Sequence, residues 1–245
     1  MLNCSRNKMG MILGDGSAKR TRPLCLKDIG DGSKAIASDP SPDPSPVSLS
    51  LDQFCFHYPK VALAFSGGSD SSYLLSALLD RGVQVLAYHV STAFQYPFEL
   101  DDAKRVAREL KSELEVIEAD ILSQEAICAN PPDRCYLCKH YIFGKIQEAM
   151  ARDGFAVLVD GTNASDDPAR RPGFRALDER GVLSPLRLAG LEKEAIRAAA
   201  KERGLFTWDK PSYSCLATKI AFGTAITRAG LSESLRNEEA KHGTP

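Results

Sequence analysis

Val61-Ala-Leu-Ala-Phe65 runs straight into Ser66-Gly-Gly-Ser-Asp-Ser71, and the reading of this stretch decides the fold. Five apolar residues in a row predict a strand covered on both faces. Gly67 and Gly68 let the backbone turn tightly and come close to a ligand. Ser71 is placed to cap a helix through Ser72-Tyr-Leu-Leu-Ser-Ala-Leu-Leu79. Free backbone N–H groups and the positive end of the helix dipole then face one spot, and such a spot suits an anion.

Outward from that turn, strands and helices alternate. Arg81-Gly82 ends the helix, and Val83 to His89 reads as a second strand. Glu99 to Ser112 has the spacing of an amphipathic helix, with Leu100, Ala103, Val106, Ala107 and Leu110 on one face. Leu114 to Ile117 is a third strand, followed by a short helix over Ile121 to Ala129. A helix from Lys139 to Arg152 leads to a fourth strand, Phe155 to Asp160. Leu191 to Arg203 is a last amphipathic helix, closed by Gly204. This order predicts an α/β domain with a mainly parallel sheet, whose ligands sit at the carboxyl ends of the strands.

The domain is expected over residues 51–228. Residues 1–50 lack periodicity and include Ser38-Asp-Pro-Ser-Pro-Asp-Pro-Ser-Pro46, so they read as a disordered leader and linker, with Cys4 and Cys25 as bystanders. Residues 229–245 read as an irregular polar tail. A net charge of −1 over 245 residues gives no bulk case for a nucleic-acid or membrane partner. No apolar run reaches a membrane span, and no secretion signal is evident, so a cytoplasmic protein is expected. The seven cysteines accordingly read as thiols, metal ligands or catalytic groups rather than disulfides.

The Ser66–Ser71 turn lacks the lysine of a Walker A loop and the third glycine of a dinucleotide fingerprint. It resembles the Ser-Gly-Gly-x-Asp-Ser signature of the PP-loop ATP pyrophosphatases, which cleave ATP between its α and β phosphates. The resemblance implies that Ser66, Gly67, Gly68, Ser69, Asp70, Ser71 and Ser72 hold the pyrophosphate of ATP and that Asp70 helps bind Mg²⁺. Asp160-Gly-Thr-Asn-Ala-Ser-Asp-Asp167 follows the fourth strand, so Gly161, Thr162 and Asn163 are expected in the same crevice. Cys135-Tyr-Leu-Cys138 has the spacing that lets two sulfurs face one metal. Cys215 and His140 are candidates to complete a zinc site, and Cys135, Cys138 and Cys215 are candidate ligands of a [4Fe–4S] cluster. Cys55 and Cys128 read as structural. Arg170, Arg171 and Arg175 can clamp a phosphate or carboxylate. His89 reads as a polar residue at a strand end, and Tyr96 and Phe98 as packing groups.

Taken together, the Ser66–Ser71 loop, Asn130-Pro-Pro-Asp-Arg-Cys-Tyr-Leu-Cys138, Asp160-Gly-Thr-Asn163, Arg171-Pro-Gly-Phe-Arg-Ala176, Ser184-Pro-Leu186 and Lys210-Pro-Ser-Tyr-Ser-Cys-Leu-Ala217 resemble the LarE family. The resemblance implies an adenine nucleotide alpha hydrolase-like, Rossmann-like PP-loop fold. It also implies an ATP-dependent sulfur insertase that adenylates pyridinium-3,5-biscarboxylic acid mononucleotide, in the biosynthesis of a nickel-pincer cofactor. In one branch of that family the cysteine matching Cys215 gives up its own sulfur; in another, three cysteines hold a cluster carrying a removable sulfide, and the cysteines here fit the second pattern. Asp70 and Cys215 are then the catalytic residues, with Arg171 and Arg175 at the substrate. A homo-oligomer is left open. Family members usually continue past the region matching Ile226-Thr-Arg228 with further arginines and carboxylates, which Gly230 to Pro245 does not resemble, so either the chain reads as truncated or shifted in frame there or its substrate binding differs. A PP-loop tRNA thiolase and a non-catalytic nucleotide- or cluster-binding protein are the competing readings.

Overall fold

The computed structural model describes residues 49–168 and 172–242. The leader expected over residues 1–48, with Cys4 and Cys25, and the arginines Arg170 and Arg171 lie outside them.

The chain is built on β1, Lys60–Ala64, in which Val61, Ala62 and Leu63 are fully buried. Side chains alternate across a strand. Val61 and Leu63 therefore join one core with Leu74, Leu78 and Ile196, while Ala62 joins another with Tyr88, Phe143 and Ile146. β1 pairs in parallel with β2, Gln84–Ser91, on one side and with β4, Leu158–Asp160, on the other. β3, Glu113–Glu118, pairs in parallel with β2, giving the sheet order β3-β2-β1-β4. The expected α/β parallel-sheet domain is what the chain forms.

A short helix α1, Leu51–His57, precedes β1 where no helix was expected. Ser50 starts it: the Ser50 hydroxyl accepts from the Gln53 amide, and the Gln53 side chain accepts from the Ser50 amide. The first helix thus starts at Leu51, the expected beginning of the domain, with Ser50 as its cap. α2, Ser69–Asp80, and α3, Pro97–Glu109, follow β1 and β2. After β3 come a 3-10 turn, Ile121–Ser123, and the short α4, Glu125–Cys128.

α5, Arg134–Arg152, begins five residues before the expected Lys139. Pro131 and Pro132 can only precede its first turn, and Cys135 and Cys138 consequently lie on the helix. α6, Gly173–Glu179, α7, Pro185–Leu188, and α8, Lys193–Glu202, complete the layer after β4.

The polar tail is not irregular. Residues Arg228–His242 form α9, in which buried Leu231 and partly buried Leu235 share one stripe. Two apolar residues are too few to display a helical period in the sequence. They pack into a third core with Phe94, Tyr96, Ile121, Ile127, Leu216 and Ile226.

At the carboxyl end of β2, His89 is 1% exposed, and its Nδ1–H donates to the Phe65 carbonyl at 3.0 Å. Its Nε2 is buried without a partner. Burial is the main cause that lowers its pKa below the ordinary value of about 6.5. Unfolded His89 therefore takes up a proton that the folded form resists, so stability falls as pH drops below about 6.5. Urea unfolding at pH 7.5 and 5.5 should show this loss in the wild type. His89→Asn should flatten that slope.

Candidate functional site

The turn after β1 opens α2 differently from the expected cap. Gly68, not Ser71, is the residue before the helix, and Ser72 N makes the first helical bond, to Gly68 O at 3.0 Å. The amides of Ser69, Asp70 and Ser71 are thus the orphan donors of the helix start. The Ser71 hydroxyl bonds the Gly68 carbonyl at 3.2 Å and lies 3.0 Å from Ser66 Oγ, which accepts from Gly68 N at 3.3 Å. Ser66 and Ser71 therefore shape the loop. Ser69 Oγ, Ser72 Oγ and Asp70 Oδ1 are buried with no partner.

Two glycines permit this arrangement. Gly67 stands at φ +74°, and a Cβ there would lie 2.8 Å from the Ala103 amide of α3. A Cβ on Gly161 would lie 2.9 Å from the Ser71 amide of α2. Because β4 is the neighbour of β1, the loop after β4 lies beside the start of α2. Asn163 Nδ2 donates to Asp70 Oδ2 at 3.1 Å, bringing two residues expected at one crevice into contact. Thr162 instead turns to Asp160: its amide and hydroxyl both donate to that carboxylate, which Ser184 Oγ also reaches at 2.7 Å. Thr162 and Asp160 are the brace of the loop, with Gly161 between them.

Lys193, at the start of α8, is a site residue that the sequence reading missed. Its Nζ bonds Asp70 Oδ2 at 3.0 Å from 123 residues away. It supplies next to this loop the positive charge that a Walker lysine supplies elsewhere. No local pattern announces a pairing of that range. Asp70 thus has one oxygen tied to Asn163 and Lys193 and the other untied, and a free carboxylate oxygen is what Mg²⁺ takes.

The second part of the site is a cluster of thiols. Cys138 and Cys215 pack against the third core, and Cys135 stands one helical turn before Cys138. All three are free and half-buried. Burial, reinforced by Cys215 and Cys135, pushes the Cys138 thiol up to about 12, while burial raises Cys215 against the opposing charge of Arg134.

Asn130 holds the Cys215 segment in place. It is fully buried at φ +55°, and its Nδ2 contacts the carbonyls of Ile220, Ala221 and Thr224 at 3.3, 2.8 and 3.1 Å. The Leu216 amide donates to the Phe94 carbonyl just past β2, which anchors the segment to the same edge of the sheet. Lys210 pairs with Asp102 of α3, the helix whose Ala103 meets Gly67. α3 is therefore a wall common to the phosphate turn and the approach to Cys215.

The zinc reading of His140 is corrected by its partners. Arginine only donates, so His140 Nδ1 accepts from Arg180 Nη2 at 3.0 Å, and Nε2 lies 4.0 Å from Glu179. Nδ1 is therefore engaged by Arg180 rather than offered to a metal. Among the described residues, no group of three His, Cys, Asp or Glu side chains is arranged to hold a metal ion. Three thiols are the right donors for iron, but their present placement is not a formed cluster site. Arg175 lies on the surface, with its guanidinium carbon 3.4 Å from the centre of the Tyr136 ring and its Nε 3.4 Å from Glu179. It is next to the thiol helix rather than the phosphate turn. Arg171 lies outside the described residues. Tyr96 is buried, as expected, in contact with Phe98 and Tyr213.

Among known proteins, the chain is 31% identical over 182 residues to a pyridinium-3,5-bisthiocarboxylic acid mononucleotide synthase of Lactiplantibacillus plantarum, covering 74% of this chain and 66% of that protein. It is 33% identical over 184 residues to an uncharacterised protein of Methanocaldococcus jannaschii, covering 75% and 70%. A tRNA-specific 2-thiouridylase, MnmA, of Pseudothermotoga lettingae is 27% identical, covering 62% and 49%. The chain thus spans just under two thirds of the length of the synthase it matches. No family model matches it.

The Lys193–Asp70 pair gives a direct test of the phosphate turn. Lys193→Ala should weaken the binding of inorganic pyrophosphate with Mg²⁺ about tenfold, as expected for one charge-assisted hydrogen bond. The melting temperature should stay within about 3 °C, because the pair is partly exposed. Calorimetric titration of both proteins checks the first value, and unaltered affinity would reduce Lys193 to a structural partner of Asp70.

Proposed function

Since the chain belongs to the LarE family of PP-loop proteins, we propose that it is an ATP-dependent sulfur insertase acting on a carboxylate of pyridinium-3,5-biscarboxylic acid mononucleotide. The observation that carries this reading is the gathering of three free thiols and an anion-binding helix start at one edge of the sheet, with α3 between them. Its parts suit activation followed by transfer.

The orphan amides of Ser69, Asp70 and Ser71 and the unpartnered Ser69 hydroxyl take the departing pyrophosphate, where the helix dipole favours negative charge. Asp70 offers its free oxygen to Mg²⁺, which neutralises phosphate charge when bound. Lys193 and Asn163 keep the Asp70 carboxylate in register. A substrate carboxylate oxygen attacks the α-phosphorus of ATP, the bond to the β-phosphate breaks, and an acyl-adenylate and pyrophosphate form. Sulfur then attacks the acyl carbon, a carbon–sulfur bond forms, the carbon–oxygen bond to the adenylate breaks, and AMP leaves carrying the former carboxylate oxygen. Asn130 fixes the segment that carries Cys215, and Arg175, beside Cys135 in the chain through Tyr136, is the candidate for a second carboxylate of the substrate. Cys215 bears the sulfur or helps to hold it.

The experiment combines the full chain with Mg-ATP and the biscarboxylated nucleotide and follows pyrophosphate, AMP and thiocarboxylate. All three should form. Cys215→Ser should keep pyrophosphate release within about threefold and lower thiocarboxylate at least about 100-fold, since only the second step needs the sulfur. Absence of pyrophosphate with every carboxylate offered removes the enzyme reading. The mass of the protein after turnover names the sulfur source: a loss of about 34 Da at Cys215 marks the thiol itself as donor. An unchanged mass, with iron bound after anaerobic reconstitution, marks a cluster held by Cys135, Cys138 and Cys215.

A further inference from the structure

Arg134 is among the largest side chains that the fold buries completely, with 2% of its surface exposed. A guanidinium taken out of water ordinarily faces a carboxylate, because an uncompensated buried charge is strongly unfavourable. Here its acceptors are uncharged. Nη1 donates to Asn130 Oδ1 at 2.6 Å and to the Ala217 carbonyl at 2.8 Å, and Nη2 donates to Cys135 Sγ at 3.6 Å. The Phe222 ring, itself 63% exposed, has its centre 5.6 Å from the guanidinium carbon. No carboxylate among the described residues pairs with Arg134.

The direction of this unmatched charge is clear from its surroundings. Arg134 directly precedes Cys135, bonds its sulfur, and holds the carbonyl of Ala217, two residues beyond Cys215. Its field reaches Cys138 and Cys215, where it opposes the effect of burial. Asn130 and Ala217 fix two of its N–H groups, so the guanidinium cannot turn away to solvent. The packing thus keeps a positive charge against the Cys135 sulfur, within electrostatic reach of Cys138 and Cys215, and no carboxylate among the described residues balances it.

We propose that Arg134 is an anion receptor at the three-thiol centre, drawing a small monoanion to the face shared by Cys135 and Cys215. Two anions of the transfer share that chemistry: the hydrosulfide that brings sulfur and the carboxylate that receives it. The naming of these two rests on the sulfur-insertase reading, whereas the receptor itself rests on the burial and bonding of Arg134. An arginine suits the task because its planar fork holds the loop with one edge and still offers charge with the rest.

The test uses the full chain, reduced and free of oxygen, and two alkylating reagents of nearly equal size, anionic iodoacetate and neutral iodoacetamide. Each forms a sulfur–carbon bond at Cys215 and releases iodide, and peptide mass spectrometry follows that residue alone. The ratio of the two rates cancels the accessibility and ionisation of the thiol and leaves the electrostatic preference. The wild-type ratio should exceed that of Arg134→Met about tenfold, as a unit charge several ångströms from the reacting sulfur implies. Arg134→Lys should keep most of the preference. Equal ratios within twofold in the wild type and Arg134→Met would overturn the proposal.

If Arg134→Met does not fold, the wild type decides through salt. A ratio that falls between about 20 and 500 mM salt supports the receptor, and a flat one overturns it. Turnover of the folded variants tells the two anions apart. Loss of the receptor raises the half-saturating concentration of hydrosulfide if sulfur is the anion held, and that of the pyridinium carboxylate if the acceptor is. A wild type that makes no thiocarboxylate sinks the sulfur-insertase reading, and the alkylation ratio still judges Arg134 by itself.

Discussion

Two contacts between bare backbones govern this fold. Gly67 lies against Ala103 and Gly161 against Ser71, each so close that a single added carbon would come within 3.0 Å of a backbone nitrogen. Through the first, the turn after β1 meets the middle of α3; through the second, the loop after β4 meets the start of α2. These approaches align free amides, the Asp70 carboxylate and Asn163 at one place. Side chains of ordinary size would push the three segments apart and scatter the donors. The phosphate turn is therefore a property of packing between neighbouring elements as much as of its serines.

The rest of the site is held by polar groups buried at some cost and then satisfied. Asp70 is tied to Asn163 and Lys193, Asp160 to Thr162 and Ser184, and Asn130 to Arg134 and three loop carbonyls. A buried polar group left unpaired costs about 1–3 kcal/mol, so each network strongly favours one arrangement. The few atoms left unpaired are informative for the same reason. Ser69 Oγ and Asp70 Oδ1 lie at the helix start that suits an anion and its metal. At the thiols, the imbalance is one of charge, since no carboxylate among the described residues pairs with Arg134.

The local half of this architecture could be read from the chain. A five-residue apolar strand, a glycine turn and a helix are features of adjacent residues, and the turn does join that strand to that helix, although the helix opens after Gly68 rather than after Ser71. Cys135 and Cys138 were recognised as a pair from their spacing, yet the helix carrying them was started at Lys139. The proline pair before it hid an early first turn. α9 was hidden by having only Leu231 and Leu235 to bury. Lys193 escaped notice because its partner is 123 residues away, and His140 was misjudged because Arg180, 40 residues on, claims its ring nitrogen. Spacing reveals which residues can share a face of one element. It carries no information on which distant side chain will arrive opposite.

Asn130 carries one more consequence, for the ageing of the molecule. Its amide contacts carbonyls 90, 91 and 94 residues ahead, and conversion to a carboxylate would set an acceptor against acceptors. Asparagine usually makes that conversion when the next backbone nitrogen attacks the side chain and closes a succinimide ring. The next residue here is Pro131, whose nitrogen has no hydrogen and no free lone pair to make that attack. The proline that precedes the thiol helix also shields the asparagine that pins the Cys215 loop from slow chemical decay.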